Sequence, residues 1–330
     1  MDRAAGRELL LFRGSGSYSG GDRVRHYAAN VSATGETVTS SNSSFMDSRS
    51  GTNRSSELLS WLLKWTFFWL FILYTIVPIG WIVAAATKNN AEIFSTFGFF
   101  FGEPANILEN WNRLITYKDG IVIKWLGNSI SYSVAIALLS TLLSTAGAYA
   151  FAKRRFPGRN LFYTIILGTI MISATALVLP LFLTMNRLGI LNTPWAFILP
   201  SIVSPYGLYL MRVLWEQSFP EELAEAARID GASELRIFAQ IGLPLVRNGL
   251  ITVGLPSFVG AWNNFFLPLL VLSNEDLLPL TVGMAVWNQS SVMTGGQPVY
   301  TVIAMGLILS VLPLLVAFAL FGRYWRSGLT

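Results

Sequence analysis

Glu225, Ala226 and Ala227 stand together, Gly231 follows after three residues, and Ile241-Gly242-Leu243-Pro244 follows after nine more. The pattern holds no nucleophile and base pair. The small Ala pair lets another surface approach the backbone closely, or the hairpin is an ordinary amphipathic connector lying against the protein's own membrane domain. Ser218 with Glu221 three residues on reads as a capping box, and Pro220-Glu221-Glu222 suits a first turn, where free N–H groups favour acidic residues. A helix is therefore expected from near Phe219 to Asp230-Gly231, where glycine tolerates the left-handed cap. Leu223, Ala226 and Ala227 then share one face, with Glu222, Glu225 and Arg228 projecting around it. A second helix, Ala232 to Gln240, carries Leu235, Phe238 and Ile241 on one stripe, and Pro244 ends it.

The elements around this hairpin are of another kind. Of 330 residues, 53% are hydrophobic and only 12% charged, with a mean hydropathy of +0.52; soluble domains carry roughly 25% charged residues. Apolar stretches long enough for the ~20 residues that a bilayer requires fall at Leu62–Ala86, Asn128–Ala152, Leu161–Met185, Thr193–Trp215, Leu250–Leu272 and Val299–Phe321. An all-α polytopic membrane protein with six transmembrane helices is expected. Lys and Arg collect in cytoplasmic loops. Eighteen of the 23 lie in the N-terminal segment, the second-to-third connection, the hairpin connection and the tail, leaving Lys88, Arg113, Lys118, Lys124 and Arg187 on the other side. Both termini and the hairpin are thus expected in the cytoplasm, with the loops from Thr87 to Gly127 and from Ser273 to Pro298 outside. The net charge of +5 reflects topology, and no basic, aromatic-interleaved surface points to nucleic acid.

What the spans omit also matters. None contains Asp or Glu, the groups that ion-coupled carriers place in the bundle, and no G-x4-GK-[ST] sequence is present to cradle ATP phosphates. Energy must come from another chain. Gly295-Gly296-Gln297 sits in an expected outer loop and is read as coincidental. Ser140, Thr141, Ser144, Thr145 and Ala148 repeat along the second span as a close-packing stripe. The fifth span, with Pro256, Ser257, Gly260, Trp262, Asn263, Asn264 and Pro268, is expected to bend, and its amides need partners away from lipid. Trp262, Asn263 and Asn264 are candidates to line a solute pathway, or alternatively to tie helices together. Pro194, Pro200 and Pro205 in the fourth span and Pro313 in the sixth mark expected pivots.

EAA-x3-G-x9-I-x-LP is the motif of the integral-membrane subunits of ATP-binding-cassette importers, and every fixed position is matched here. EAARIDGASELRIF (225–238), IGLPL (241–245), WNNFFLPL (262–269) and AYAFAKRRFPGRNLF (148–162) resemble the carbohydrate branch, the second permease of maltose-type systems. The resemblance covers about Ser55 to Thr330. It implies the transmembrane domain of a type I importer at 57–330, with a coupling hairpin at 218–244 seated on an ATPase. Glu222 and Glu225 would make polar contacts at the rim, Ala226 and Ala227 would allow close seating, and Asp230 with Gly231 would form the turn. It further implies a homologous permease partner, two ATPase subunits carrying ATP and Mg, and an extracellular or periplasmic solute-binding protein. The substrate would be a carbohydrate, and the location the bacterial or archaeal cytoplasmic (inner) membrane. No cofactor is expected on this chain, which is not itself an enzyme.

Residues 1–56 are rich in Ser, Gly, Thr and Asn and are expected to form a disordered cytoplasmic extension, with a start at Met46 as an alternative. They lack the pattern of a signal peptide. The lone His26 lies there, and with no cysteine in the chain neither a His-based nor a thiolate metal site is expected. Sequences of this type usually continue past the GLT ending with a short tail that in some members reaches toward the ATPases, and with Thr330 last here a tail-mediated contact is not expected. The other function classes left open are an importer of a polyol, glycerol phosphate or oligopeptide, a secondary carrier, and a membrane assembly protein.

Overall fold

A computed structural model describes residues 54–293 and 299–327. The readings made above for residues 1–53, including His26 and the Met46 start, and for Gly295-Gly296-Gln297, lie outside the described residues. Among the described residues the chain is helical throughout, without strands. It divides between Trp69 and Leu70 into two compact units.

The first helix, α1 (Arg54–Ala86), is 33 residues long, or about 50 Å at ~1.5 Å per residue. Its Leu58–Ala86 stretch is apolar enough to cross a membrane. In the first unit it presents an exposed aromatic ladder in which Trp61, Trp65, Phe68 and Trp69 meet in successive pairs. In the second unit it ends in Ala84, Ala85 and Ala86, which are buried and cluster with Ala304.

The second unit is organised on α4 (Ile121–Lys153). Its remaining helices are α2 (Asn90–Ser95), α3 (Pro104–Thr116), α5 (Arg159–Gly168), α6 (Ala174–Arg187), α7 (Pro194–Ser201), α8 (Pro205–Ser218), α9 (Glu221–Ile229), α10 (Glu234–Leu245), α11 (Arg247–Trp262), α12 (Phe266–Val271), α13 (Leu280–Met293) and α14 (Tyr300–Ser327). α8 and α11 both pack along α4, and α14 packs on α11.

Three unbroken helices and three bent pairs make up to six spans; the break in the third was not expected, whereas the fourth and fifth bend as expected. α5, continued by a 3-10 turn to Met171, meets α6 at 109°, because Ile172 and Ser173 take extended backbone. α7 and α8 meet at 42°. Pro205 restricts the residue before it, and Ser204 is accordingly extended, with its hydroxyl accepting the Gly207 N–H at 3.0 Å. In the fifth span Pro256 stays inside α11, and the break falls instead at Asn263–Phe265, ahead of α12. α14 runs through Pro313 as one helix.

The two expected outer loops are largely helical, holding α2, α3 and α13 and the start of α4. They also meet each other. Lys118 pairs with Glu275 at 2.6 Å and Lys124 with Asp276 at 2.9 Å. Tyr117 stacks on Trp287 at 3.7 Å between centroids, and Trp125 Nε1 donates to the Glu275 carbonyl at 2.7 Å. A large apolar cluster around Leu114, Trp125, Leu280 and Val302 lies under this cap. Lys88, counted as an outer charge, is in fact buried, donating from Nζ to the Phe97 carbonyl at 2.8 Å. A second cluster takes Ala148 and Tyr149 from the far end of α4 and carries the hairpin.

Candidate functional site

The hairpin begins after α8 and Phe219. The expected capping box is absent, since Ser218 is the last residue of α8, and Pro220 leads into α9 with no side-chain cap. Glu221 instead reaches Arg228 at 3.6 Å. The end of α9 is as its glycine requires. Gly231 has φ +79°, its N–H donates to the Arg228 carbonyl at 3.0 Å, and the Ala232 N–H donates to the Ala227 carbonyl at 2.9 Å. These two bonds make a Schellman cap, with Asp230 at the C-cap.

The face expected to hold Leu223, Ala226 and Ala227 together is split. Ala227 turns inward with Ala224, whereas Leu223 and Ala226 are exposed. The reason is register. Residues three apart, Ala224 and Ala227, share the inward stripe, and the bulky side chains at the junction, Trp215, Phe219 and Ile237, occupy that side. Leu223, Ala226, Ile229 and Leu235 are left on the exposed surface, Ile229 at 85% and Leu235 at 75%. Glu222 and Glu225 are exposed and carry no ion pair among the described residues.

The second helix, α10, starts at Glu234 with Ser233 accepting the Arg236 N–H at its cap. It passes through a π-turn at Ile237–Gly242 and continues past Pro244 to Leu245. Pro244 therefore does not end it. The wider π-turn relieves the proline's clash with the preceding turn and its missing donor. The expected stripe is rearranged accordingly, with Ile237 buried, Phe238 and Ile241 half-buried and Leu235 outside. An 80° bend then joins the hairpin to α11.

What fixes the hairpin to the bundle involves residues that no sequence motif marked. Trp215 is fully buried, donates from Nε1 to the Thr145 carbonyl at 3.1 Å, and meets Tyr149, Phe219 and Phe238 at 5.0, 5.7 and 5.8 Å. Gly242 lies against it so closely that an added Cβ would stand 2.5 Å from the indole ring. Around this junction Glu234 accepts from Arg228 Nε at 2.9 Å and from the Tyr149 hydroxyl at 3.0 Å, and pairs with Arg154 at 2.7 Å. Partial desolvation pushes the Glu234 carboxyl upward, but the hydrogen bonds from Arg228 and Tyr149 and the Arg228 and Arg154 charges outweigh it and hold it below the usual carboxylate range. These ion pairs are partly exposed and are worth about 0–1 kcal/mol each. Burying an aromatic or Ile side chain contributes about 1.5–3 kcal/mol. The apolar junction thus contributes most of what holds the hairpin. A Trp at the end of an expected span and a Gly inside I-x-LP were the available signals.

The pathway candidates are not brought together. Trp262 is buried and stacks along its own helix on Phe258 at 6.0 Å, Asn263 is exposed at the end of α11, and Asn264 is half-buried and lines a groove. In the second-span stripe, Ser144, Thr145 and Ala148 pack inside, with Ser144 against Gly207, whereas Ser140 and Thr141 have buried hydroxyl oxygens without a hydrogen-bond partner.

The described residues thus form a helical bundle that carries one partly exposed polar hairpin. Residues 143–325 match the family described as binding-protein-dependent transport system inner membrane component. Over 278 residues the chain is 34% identical to the arabinooligosaccharides transport system permease protein AraQ of Halalkalibacterium halodurans, covering 84% of this chain and 97% of that one. It is 30% identical to the diacetylchitobiose uptake system permease protein NgcG of Streptomyces coelicolor and 31% identical to the lactose transport system permease protein LacG of Rhizobium radiobacter. Each match covers 77% of this chain, and 82% and 89% of the relatives respectively. A solved bacterial ABC transporter involved in the import of the acidic polysaccharide alginate shares the fold, with a TM-score of 0.70 at 24% identity over 82% of this chain and 98% of that chain. The chain belongs to the family of inner-membrane components of binding-protein-dependent transport systems.

Proposed function

We propose that this chain is the permease subunit of an ATP-driven carbohydrate importer, forming half of the passage and converting closure of separate ATPase subunits into helix movement. The observation that carries this reading is the hairpin. Its unpaired carboxylates Glu222 and Glu225 and exposed Leu223, Ala226 and Ile229 face outward, while Ala227, Trp215 and Gly242 lock its other side to α4 and α8. A push on Ala226 is thereby delivered to helices that span the unit. Asp230 and Gly231 keep the two halves of the hairpin at a fixed angle. The carbohydrate substrate is supported by the relatives, whose names specify arabinooligosaccharides, diacetylchitobiose and lactose. ATP and Mg belong on the ATPase partners, solute arrives on a binding protein, and a homologous permease completes the passage.

Purifying the chain with co-expressed neighbours tests this. Recovery of a second permease and an ATPase, with ATP hydrolysis stimulated by a sugar-loaded binding protein, is the expected result. A binding protein loaded only with a polyol, glycerol phosphate or peptide would sink the carbohydrate reading, and purification without an ATPase would sink the importer.

Both termini and the hairpin are read as cytoplasmic. Asn288 is half-buried, so the exposed Glu103 and Gln289 are the better outer reporters. Single cysteines there should react with an impermeant reagent in intact cells, while one at Arg155 should not. The reverse pattern overturns the orientation.

A further inference from the structure

Two grooves run along α4, and they differ in chemistry. One, of about 570 Å³, is walled mainly by apolar side chains including Leu138, Leu142, Leu250 and Phe321, with Thr141 and Thr145 as its hydroxyls. The other, of about 640 Å³, is lined by α4, α6, α8 and α11 and by the joints between helices.

Three of the unit's helix joints open on the second groove, whereas the 80° bend at Val246 does not. The groove's lining includes Ile172 and Ala174 beside the 109° bend, Val203 and Ser204 at the 42° bend, and Asn264 at the end of α11. Unwound backbone at membrane depth is tolerated only where it is buried in protein or lines a wet cavity. Helix breaks that converge on one cavity are how membrane helices present polar groups to a solute. The side chains fit this. Ser140 is 1% exposed, yet its Oγ has no hydrogen-bond partner among the described residues, and it lines the groove. Leaving a buried hydroxyl without a partner is costly, so its presence points to a partner that comes and goes. The Asn264 backbone N–H donates to the Ala261 carbonyl at 3.2 Å, but its side-chain amide makes no hydrogen bond among the described residues, and Thr175 and Tyr206 add further hydroxyls to the lining. Among the described residues no Asp, Glu, Lys or Arg lines the groove.

We infer that this groove is a binding site for an uncharged polyhydroxyl solute on its way through the membrane, with Ser140 and Asn264 as its hydrogen-bonding residues. The inference rests on the carbohydrate-importer reading and moves the contact set of this subunit away from Trp262 and Asn263, toward the three joints. Ser140 leaves the packing stripe for the passage. Charge selection follows, since a carboxylated sugar would find no counter-charge here.

The chain has no cysteine, which makes the test direct. Gly260 lines the groove, and a Cβ added there meets nothing within 4 Å, so a side chain at 260 enters the groove without disturbing the chain's own packing. Gly260→Cys and Ser257→Cys are placed in the complete complex in liposomes, with Leu143→Cys on the exposed side of α4 as reference. The probe is a glucose-bearing methanethiosulfonate, neutral and rich in hydroxyls. Positions 260 and 257 are expected to react at least ~10-fold faster than 143. Equal or slower reaction, with full reaction of the denatured chain, overturns the inference. Gly260→Trp is expected to reduce uptake of arabinotriose or lactose ~10-fold or more with the complex recovered intact, whereas loss of the partner permease from that variant would show the groove to be a seat for a helix and would equally overturn it. Failure of the wild-type complex to take up any sugar removes the carbohydrate reading alone, because the labelling rates report on the groove without transport.

Discussion

Ala226→Trp is expected to abolish solute uptake and binding-protein-stimulated ATP hydrolysis while leaving the chain folded and inserted. Ala226 is exposed at the outer face of α9, so an indole there meets solvent in the isolated chain and costs its fold little. Against a partner surface the same ring holds the hairpin off by several ångströms, and small residues at a close contact are what it displaces. Ala227→Trp is the contrast. Ala227 is 7% exposed against Trp215, Phe219 and Ile237, and overpacking there costs about 1–3 kcal/mol or more, so that variant should be lost from the membrane. Normal uptake by Ala226→Trp would remove the hairpin from the coupling path. Membrane recovery and uptake measured on both variants separate the two effects.

Gly242→Val is expected to destabilise the permease, with Gly231→Val leaving it inserted but uncoupled. The two glycines are required for different reasons. At Gly242 the backbone φ is ordinary for a helix, but a Cβ would stand 2.5 and 2.7 Å from the Trp215 ring. That ring cannot retreat, because Tyr149, Phe219 and Phe238 surround it. At Gly231 the space is open but φ is +79°, a region that costs a side-chain-bearing residue about 1–2 kcal/mol and a β-branched one more. Trp215→Leu in the Gly242→Val background should restore part of the lost stability, a coupling that a double-mutant cycle reads directly. Additive losses would mean that the indole contact is not what excludes the side chain. No rescue of Gly231→Val by Trp215→Leu is expected.

Much of the hairpin was legible because its determinants are local. A helix that ends at Asp230-Gly231 follows from one glycine and the hydrogen bonds it permits, and the apolar spans follow from composition over about twenty residues. Boundaries set by competing signals were less legible. Ser218 carries a capping sequence, yet the preceding α8 extends through it and leaves it no helix to cap. Pro244 reads as a stop, yet a π-turn just before it absorbs the missing donor. In the third span, Ile172 and Ser173 break a stretch that hydropathy alone renders continuous.

By itself the sequence determined the class of this protein: a bundle of apolar spans interrupted by a polar hairpin, with no acidic group in the spans. It also determined the turn at Gly231, since both rest on residues near one another in the chain. Only the tertiary structure decided which side of α9 faces inward and which residues hold it there. Thr145 and Trp215 are 70 residues apart and Tyr149 and Glu234 are 85 apart, so no local pattern marks their meeting. It likewise decided that Trp262 packs while Asn264 and Ser140 line a groove. Helical periodicity places residues on a face, but what that face meets depends on where broken helices return along α4, and a hydroxyl in a close-packing stripe is indistinguishable in sequence from one that awaits a solute.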